Sequence, residues 1–105
     1  MNSITVCGNI GEPTLRFTKN GKAVLSFGLA TTRKINDEER TVWHNVTCWD
    51  TLAENLAAVI NKGDRLLVTG RIDTEQYIDK EGAKRTATNL IADEAGVSMR
   101  WVKDR

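Results

Sequence analysis

Apolar and polar residues alternate with period two along most of this chain, the pattern of strands with one buried face. Ile4–Cys7 reads as a first strand, ended by Gly8-Asn9-Ile10-Gly11. Val24-Leu25-Ser26-Phe27-Gly28-Leu29-Ala30 is a strand-like run that follows Lys19-Asn20-Gly21-Lys22. Asn-Gly between two such runs supplies the positive φ angles of a tight turn, so Leu15–Thr18 and Ala23–Thr32 are expected to pair antiparallel. Arg33–Arg40 is charged and turns at Asn36-Asp37, and a third strand covers Thr41 to Trp49.

The period then changes. Leu52, Leu56, Val59 and Ile60 recur at helical spacing, with Thr51 and Glu54 placed as a capping box and Gly63 as a left-handed stop, predicting a helix of about 10 residues. Strand pattern returns at Arg65–Ile72. Asp79-Lys80-Glu81-Gly82 turns between Thr74–Ile78 and Lys84–Ala92. Val97, Met99 and Trp101 alternate near the end, suggesting a short terminal strand or an extended arm. Three strands, a helix and two strands make the connectivity of a five-stranded Greek-key barrel with a helix between strands three and four, the OB-fold.

The third strand carries the chemistry. Alternation puts Val42, His44, Val46 and Cys48 on one face and Trp43, Asn45, Thr47 and Trp49 on the other. The first set is mostly small and apolar and is expected to point inward. Two indoles then stand outside the barrel, separated by six residues or about 20 Å, a spacing that suits separate nucleotides better than one small ligand. Such indoles either cap the core, pack against another subunit or stack on bases. Arg33, Lys34 and Arg40 lie close in sequence, and aromatics interleaved with cations are what sequence-tolerant binding of a single strand requires. Tyr77 at the base of the charged hairpin is a further stacking candidate. Arg71, Arg85 and Lys84 are candidates for phosphates, although Glu75, Asp79 and Glu81 offset their field.

Composition narrows the classes. With 105 residues there is room for one domain, spanning 1–105, and 40% hydrophobic residues suffice for its core. Fifteen Lys+Arg against 14 Asp+Glu leave a net charge of +1, so any nucleic-acid contact rests on a local stripe. No apolar stretch approaches a membrane span and the N-terminus lacks signal-peptide character, so a cytoplasmic protein is expected. Cys7 and Cys48 are too few for a disulfide framework and lack metal-ligand spacing; buried free thiols are the expectation, with a disulfide between them the alternative. His44 and Cys48 are about 13 Å apart along a strand, too far for a nucleophile–base pair. There is no paired-carboxylate site and no phosphate-cradling Gly-Lys-Ser/Thr loop. Neither catalysis, metal nor cofactor is expected.

Several segments together resemble bacterial single-stranded DNA-binding proteins. They are Val6-Cys7-Gly8-Asn9-Ile10-Gly11, Leu15-Arg16-Phe17, Phe27-Gly28-Leu29-Ala30-Thr31, Trp43-His44-Asn45-Val46, Leu52-Ala53-Glu54-Asn55, Lys62-Gly63-Asp64 and Val68-Thr69-Gly70-Arg71-Ile72. Asp93–Arg100 looks like the actinobacterial branch. The resemblance implies an OB-fold subunit of a homotetramer that coats single-stranded DNA in replication, recombination and repair. It assigns base stacking to Trp43, Trp49 and Tyr77 and places His44 near subunit contacts. Three departures stand out. Ile35 replaces an aromatic of many members, and Asp73-Thr74-Glu75-Gln76 replaces a basic stretch, which predicts weaker and less salt-steep binding. The sequence also stops at Trp101-Val102-Lys103-Asp104-Arg105 without the family's Gly/Pro-rich linker and acidic tail, putting tail-mediated recruitment of repair enzymes in doubt and leaving open a tailless paralogue, a phage or plasmid version, or a truncated piece of a longer chain.

Two readings therefore stand. In the first, Trp43, Trp49 and Tyr77 stack bases while Arg33, Lys34, Arg71 and Arg85 meet phosphates. In the second, the chain is an OB-fold protein-interaction module of a replication-restart or assembly complex, its indoles covered by a partner.

Overall fold

A computed structural model describes residues 3–100 of the chain. In chain order the elements are β1 (Ile4–Ile10), β2 (Thr14–Phe17), β3 (Ala23–Ile35), β4 (Glu38–Trp49), α1 (Asp50–Ala57), β5 (Arg65–Ile78) and β6 (Lys84–Val97). The hydrogen-bonded order is β1-β5-β6-β4-β3-β2, and β1 also pairs with β3 at Asn9↔Ala30 and Ile10↔Leu29. That second pairing closes β1, β5, β6, β4 and β3 into a five-stranded barrel, with β2 left as an outer edge. The helix falls between the third and fourth barrel strands, so the chain has the OB-fold that its pattern predicts.

Alternation sets what the barrel encloses. Ala23, Leu25, Phe27 and Leu29 of β3 point inward, as do Val46 and Cys48 of β4, Leu66 and Val68 of β5, and Leu90 and Ala92 of β6. Ala53, Leu56 and Ile60 from α1 and the turn after it join this core. Among the described residues no polar or charged residue is fully buried, so apolar side chains fill the interior and the strand pairings close the wall around them.

The strand-like pieces before and after Asp73 are one strand, β5, whose pairing with β6 is interrupted only by a bulge at Thr69/Gly70. The helix has eight residues, beginning at Asp50 with Trp49 as N-cap and no side-chain cap bond. Asp50 turns the chain sharply off β4 with φ 56°, which leaves Thr51 inside the first turn, where its hydroxyl cannot form the capping box. Val59 is exposed, because α1 ends before it. Gly63 (φ +94°) does not stop the helix; its N–H donates to the Ile10 carbonyl at 2.8 Å and seats the following turn on β1. At the C-terminus β6 runs to Val97, and Trp101 lies outside the described residues.

Both long hairpins extend beyond the barrel. Asn36 and Asp37 (φ 50° and 64°) form the two-residue turn between Ile35 and Glu38, and the β3–β4 register then runs in step from Ile35↔Glu38 to Val24↔Trp49. At the β5–β6 tip the Asp79 carboxylate accepts from the Glu81 and Ala83 amides (2.9 Å each) and from Arg85 Nε (2.8 Å). Because β4 and β6 pair in parallel and each starts at its hairpin tip, the two tips project from the same end of the barrel.

Candidate nucleic-acid interface

The unbroken register of β3 on β4 puts Trp43, Asn45, Thr47 and Trp49 on the outward face, opposite the buried Val46 and Cys48. Trp43 is 62% exposed and Trp49 41%. The outward face continues across the sheet, since Asn45 pairs with Asn89 and Asn89 with Asp73, while Thr47 pairs with Ile91 and Ile91 with Arg71. Further along β5 on this face come Glu75 and Tyr77, the latter 51% exposed and opposite Arg85. Trp43, Trp49, Tyr77, Arg71 and Arg85 thus share one broad surface.

Trp43 is held by the absence of side chains beneath it. A Cβ built on Gly28 would lie 3.1 Å from Trp43 Cε3 and 3.4 Å from Cζ3, and one on Gly11 3.7 Å from Cζ3. The benzo edge therefore rests on β3 backbone while most of the ring faces solvent. An aromatic surface supported on one side and open on the other is the geometry a stacked base needs.

The cations divide into two groups. Lys34 shares the indole face, whereas Arg33 pairs with Arg40 and projects from the opposite face of the hairpin. Arg71 faces outward with its Nε 3.6 Å from Asp93, an exposed pair of little energetic weight. Arg85 is engaged by Asp79, whose carboxyl is held below its usual range chiefly by that guanidinium and further by the Ala83 amide. The cationic field is also thinned by Asp73 and Glu75 on the same face.

The two cysteines are both free. Cys7 is on the outward face of β1, across from the exposed Leu67, while Cys48 is in the core, so the barrel wall separates them. Burial pushes the Cys48 thiol up to about 11, which keeps it protonated. His44 is half-buried on the inward side of β4, with Nε2 hydrogen-bonded to Thr31 Oγ1 at 3.1 Å. No group of three or more His, Cys, Asp or Glu side chains able to hold a metal occurs among the described residues. Nor is any helix there long and apolar enough to cross a membrane.

The family model described as the single-strand binding protein family matches residues 1–98. The chain belongs to that family. A single-stranded DNA-binding protein of Paenarthrobacter aurescens is 39% identical over 94% of this chain and 63% of its own length. Single-stranded DNA-binding protein 2 of Streptomyces coelicolor is 41% identical over 92% of this chain and 53% of its own. The Neisseria meningitidis protein of the same name is 37% identical over 90% and 58%. The chain thus spans between about half and two thirds of the length of these relatives.

Within this single-strand binding family member, Ile35 ends β3 on the face opposite Trp43 and pairs with Glu38, so the indole face has no aromatic at that position. Two residues to which chain periodicity assigned no role also flank the site. Arg16, Phe17, Thr18, Val24 and Trp49 line a shallow cleft of about 330 Å³. The Asn-Gly turn already pairs β2 with β3; what the chain pattern does not disclose is the register of β3 on β4, which sets Val24 and its β2 neighbours beside Trp49.

Proposed function

We propose that this chain binds single-stranded DNA with little sequence preference and, as a homotetramer, protects it during replication, recombination and repair. One observation carries the reading: a family member presents two indoles on one open sheet face, with the ring of Trp43 supported from below by Gly28. The relatives' names, single-stranded DNA-binding protein, point the same way. Bases stack on Trp43, Trp49 and Tyr77 at about 1–3 kcal/mol each. Lys34 and Arg71 meet phosphates from the same face, Arg33 reaches the strand around the β3–β4 hairpin, and Arg85 contributes in competition with Asp79. His44 lies near the subunit contacts of the tetramer. Acidic Asp73 and Glu75 keep the salt dependence shallow.

The test is a tryptophan-fluorescence titration with oligo-dT and with duplex DNA at low and moderate salt. Strong quenching by the single strand alone, weakening modestly with salt, is expected. Quenching by neither nucleic acid would overturn the reading in favour of an interaction module whose partner covers the indoles.

A further inference from the structure

We propose that the bound strand does not end at Trp49 but continues onto β2, where Phe17 receives a base and Arg16 a phosphate. The assignment rests on the single-strand reading above and extends its path.

Arg16 pairs with Val24, and Val24 with Trp49, so the three stand side by side on the outward face. At the usual strand spacing Arg16 is about 10 Å from Trp49 across the sheet. At this end β4 stops and Asp50 turns the chain into α1, so a strand leaving Trp49 cannot go on along β4. The cleft bounded by Trp49, Val24, Arg16 and Phe17 lies open beside it.

The side chains there are otherwise unexplained. Phe17 is 60% exposed and lies outside the buried core cluster. It pairs with the buried Ala23 and so leaves β2 on the face opposite Arg16, yet at this open edge of the sheet its ring lines the same cleft as Trp49 and offers a second stacking surface there. Arg16 differs from Arg71 and Arg85, the other arginines of the outward face. Arg40, Arg71 and Arg85 are paired with Glu38, Asp93 and Asp79. No ion pair among the described residues involves Arg16, which leaves its fork of donors available to a phosphate.

The experiment measures oligo-dT affinity across a salt series for the full chain and for Phe17→Leu, Phe17→Tyr and Arg16→Gln, with a thermal melt of each. Phe17→Leu is expected to bind about ten-fold more weakly, within the range of one lost stacking contact, while Phe17→Tyr binds like wild type. Arg16→Gln is expected to flatten the slope of log K against log salt by about 0.7, the value for one phosphate of a single strand. All melts are expected to coincide. Wild-type affinity in Phe17→Leu, an unchanged slope in Arg16→Gln, or a lowered melt in Phe17→Leu overturns the assignment and leaves the proposed function standing. If wild type itself fails to bind oligo-dT, the function falls and the assignment with it.

Discussion

Gly28→Val tests the support beneath Trp43 without touching the indole. The new Cβ would stand 3.1 Å from Cε3 and 3.4 Å from Cζ3, inside the optimum carbon–carbon separation of about 3.5–4.0 Å. Alanine therefore requires the ring to back away by a few tenths of an ångström. Valine adds two methyl groups, each about 1.5 Å further out, and the ring cannot keep its place over β3. Residue 28 faces outward between the buried Phe27 and Leu29, so no core volume changes. Replacing a glycine within a strand also recovers backbone entropy, roughly 0.5–1 kcal/mol. The expected outcome is a loss of oligo-dT affinity near 1.4 kcal/mol, or about ten-fold, because the stacking surface is displaced and not deleted. Gly28→Ala is expected to fall between wild type and valine, and neither variant should melt lower than wild type. The assay pairs fluorescence titration with denaturant unfolding. Unchanged affinity in Gly28→Val, together with a shifted Trp43 emission, would refute the placement of bases on that ring. Lost affinity accompanied by lost stability would show instead that residue 28 is a packing position.

Three further predictions follow from the core, the thiols and the hairpin tip. Leu29→Ala removes a fully buried side chain at the β1–β3 closure and is expected to cost about 2–5 kcal/mol in urea unfolding; a loss under about 1 kcal/mol would mean that the barrel collapses around the gap. At pH 8 a thiol reagent should label Cys7 in the native protein and Cys48 only on unfolding, since burial pushes Cys48 up to about 11; equal labelling rates would contradict the buried placement. Asp79 is held below its ordinary value of 3.8 by Arg85 and the Ala83 amide. The order it gives the hairpin tip is accordingly complete above that value and lost as pH falls through the lower folded-state value. Amide shifts of Glu81 and Ala83 followed by NMR should show a midpoint below 3.8, and a midpoint at or above 3.8 would rule the cause out.

Much of the fold was legible because its signals are local. Period-two alternation follows from strand geometry itself, so Val46 and Cys48 as inward and Trp43 and Trp49 as outward could be assigned before any pairing was known. Val42, expected inward with them, is 47% exposed because β4 there runs beyond the barrel into its hairpin. Asn36-Asp37 is a turn for reasons confined to its own backbone angles. The helix was legible as a change of period, though its cap was not. Thr51 matches the capping box in sequence, but the corner at Asp50 is imposed by the departure of the chain from β4.

What the sequence alone left undecided depends on residues far apart along the chain. Closure of β1 onto β3, the parallel pairing of β4 with β6 and the bond between Thr5 and Thr69 arise only when the core is assembled. The same assembly sets Gly28 under Trp43 and brings Arg16 and Phe17 beside Trp49. A residue's face follows from its covalent neighbours within a few positions, whereas its companions on that face depend on which strands close the barrel. The sequence by itself thus determined that two indoles look outward; the tertiary structure decided what supports them and what stands next to them.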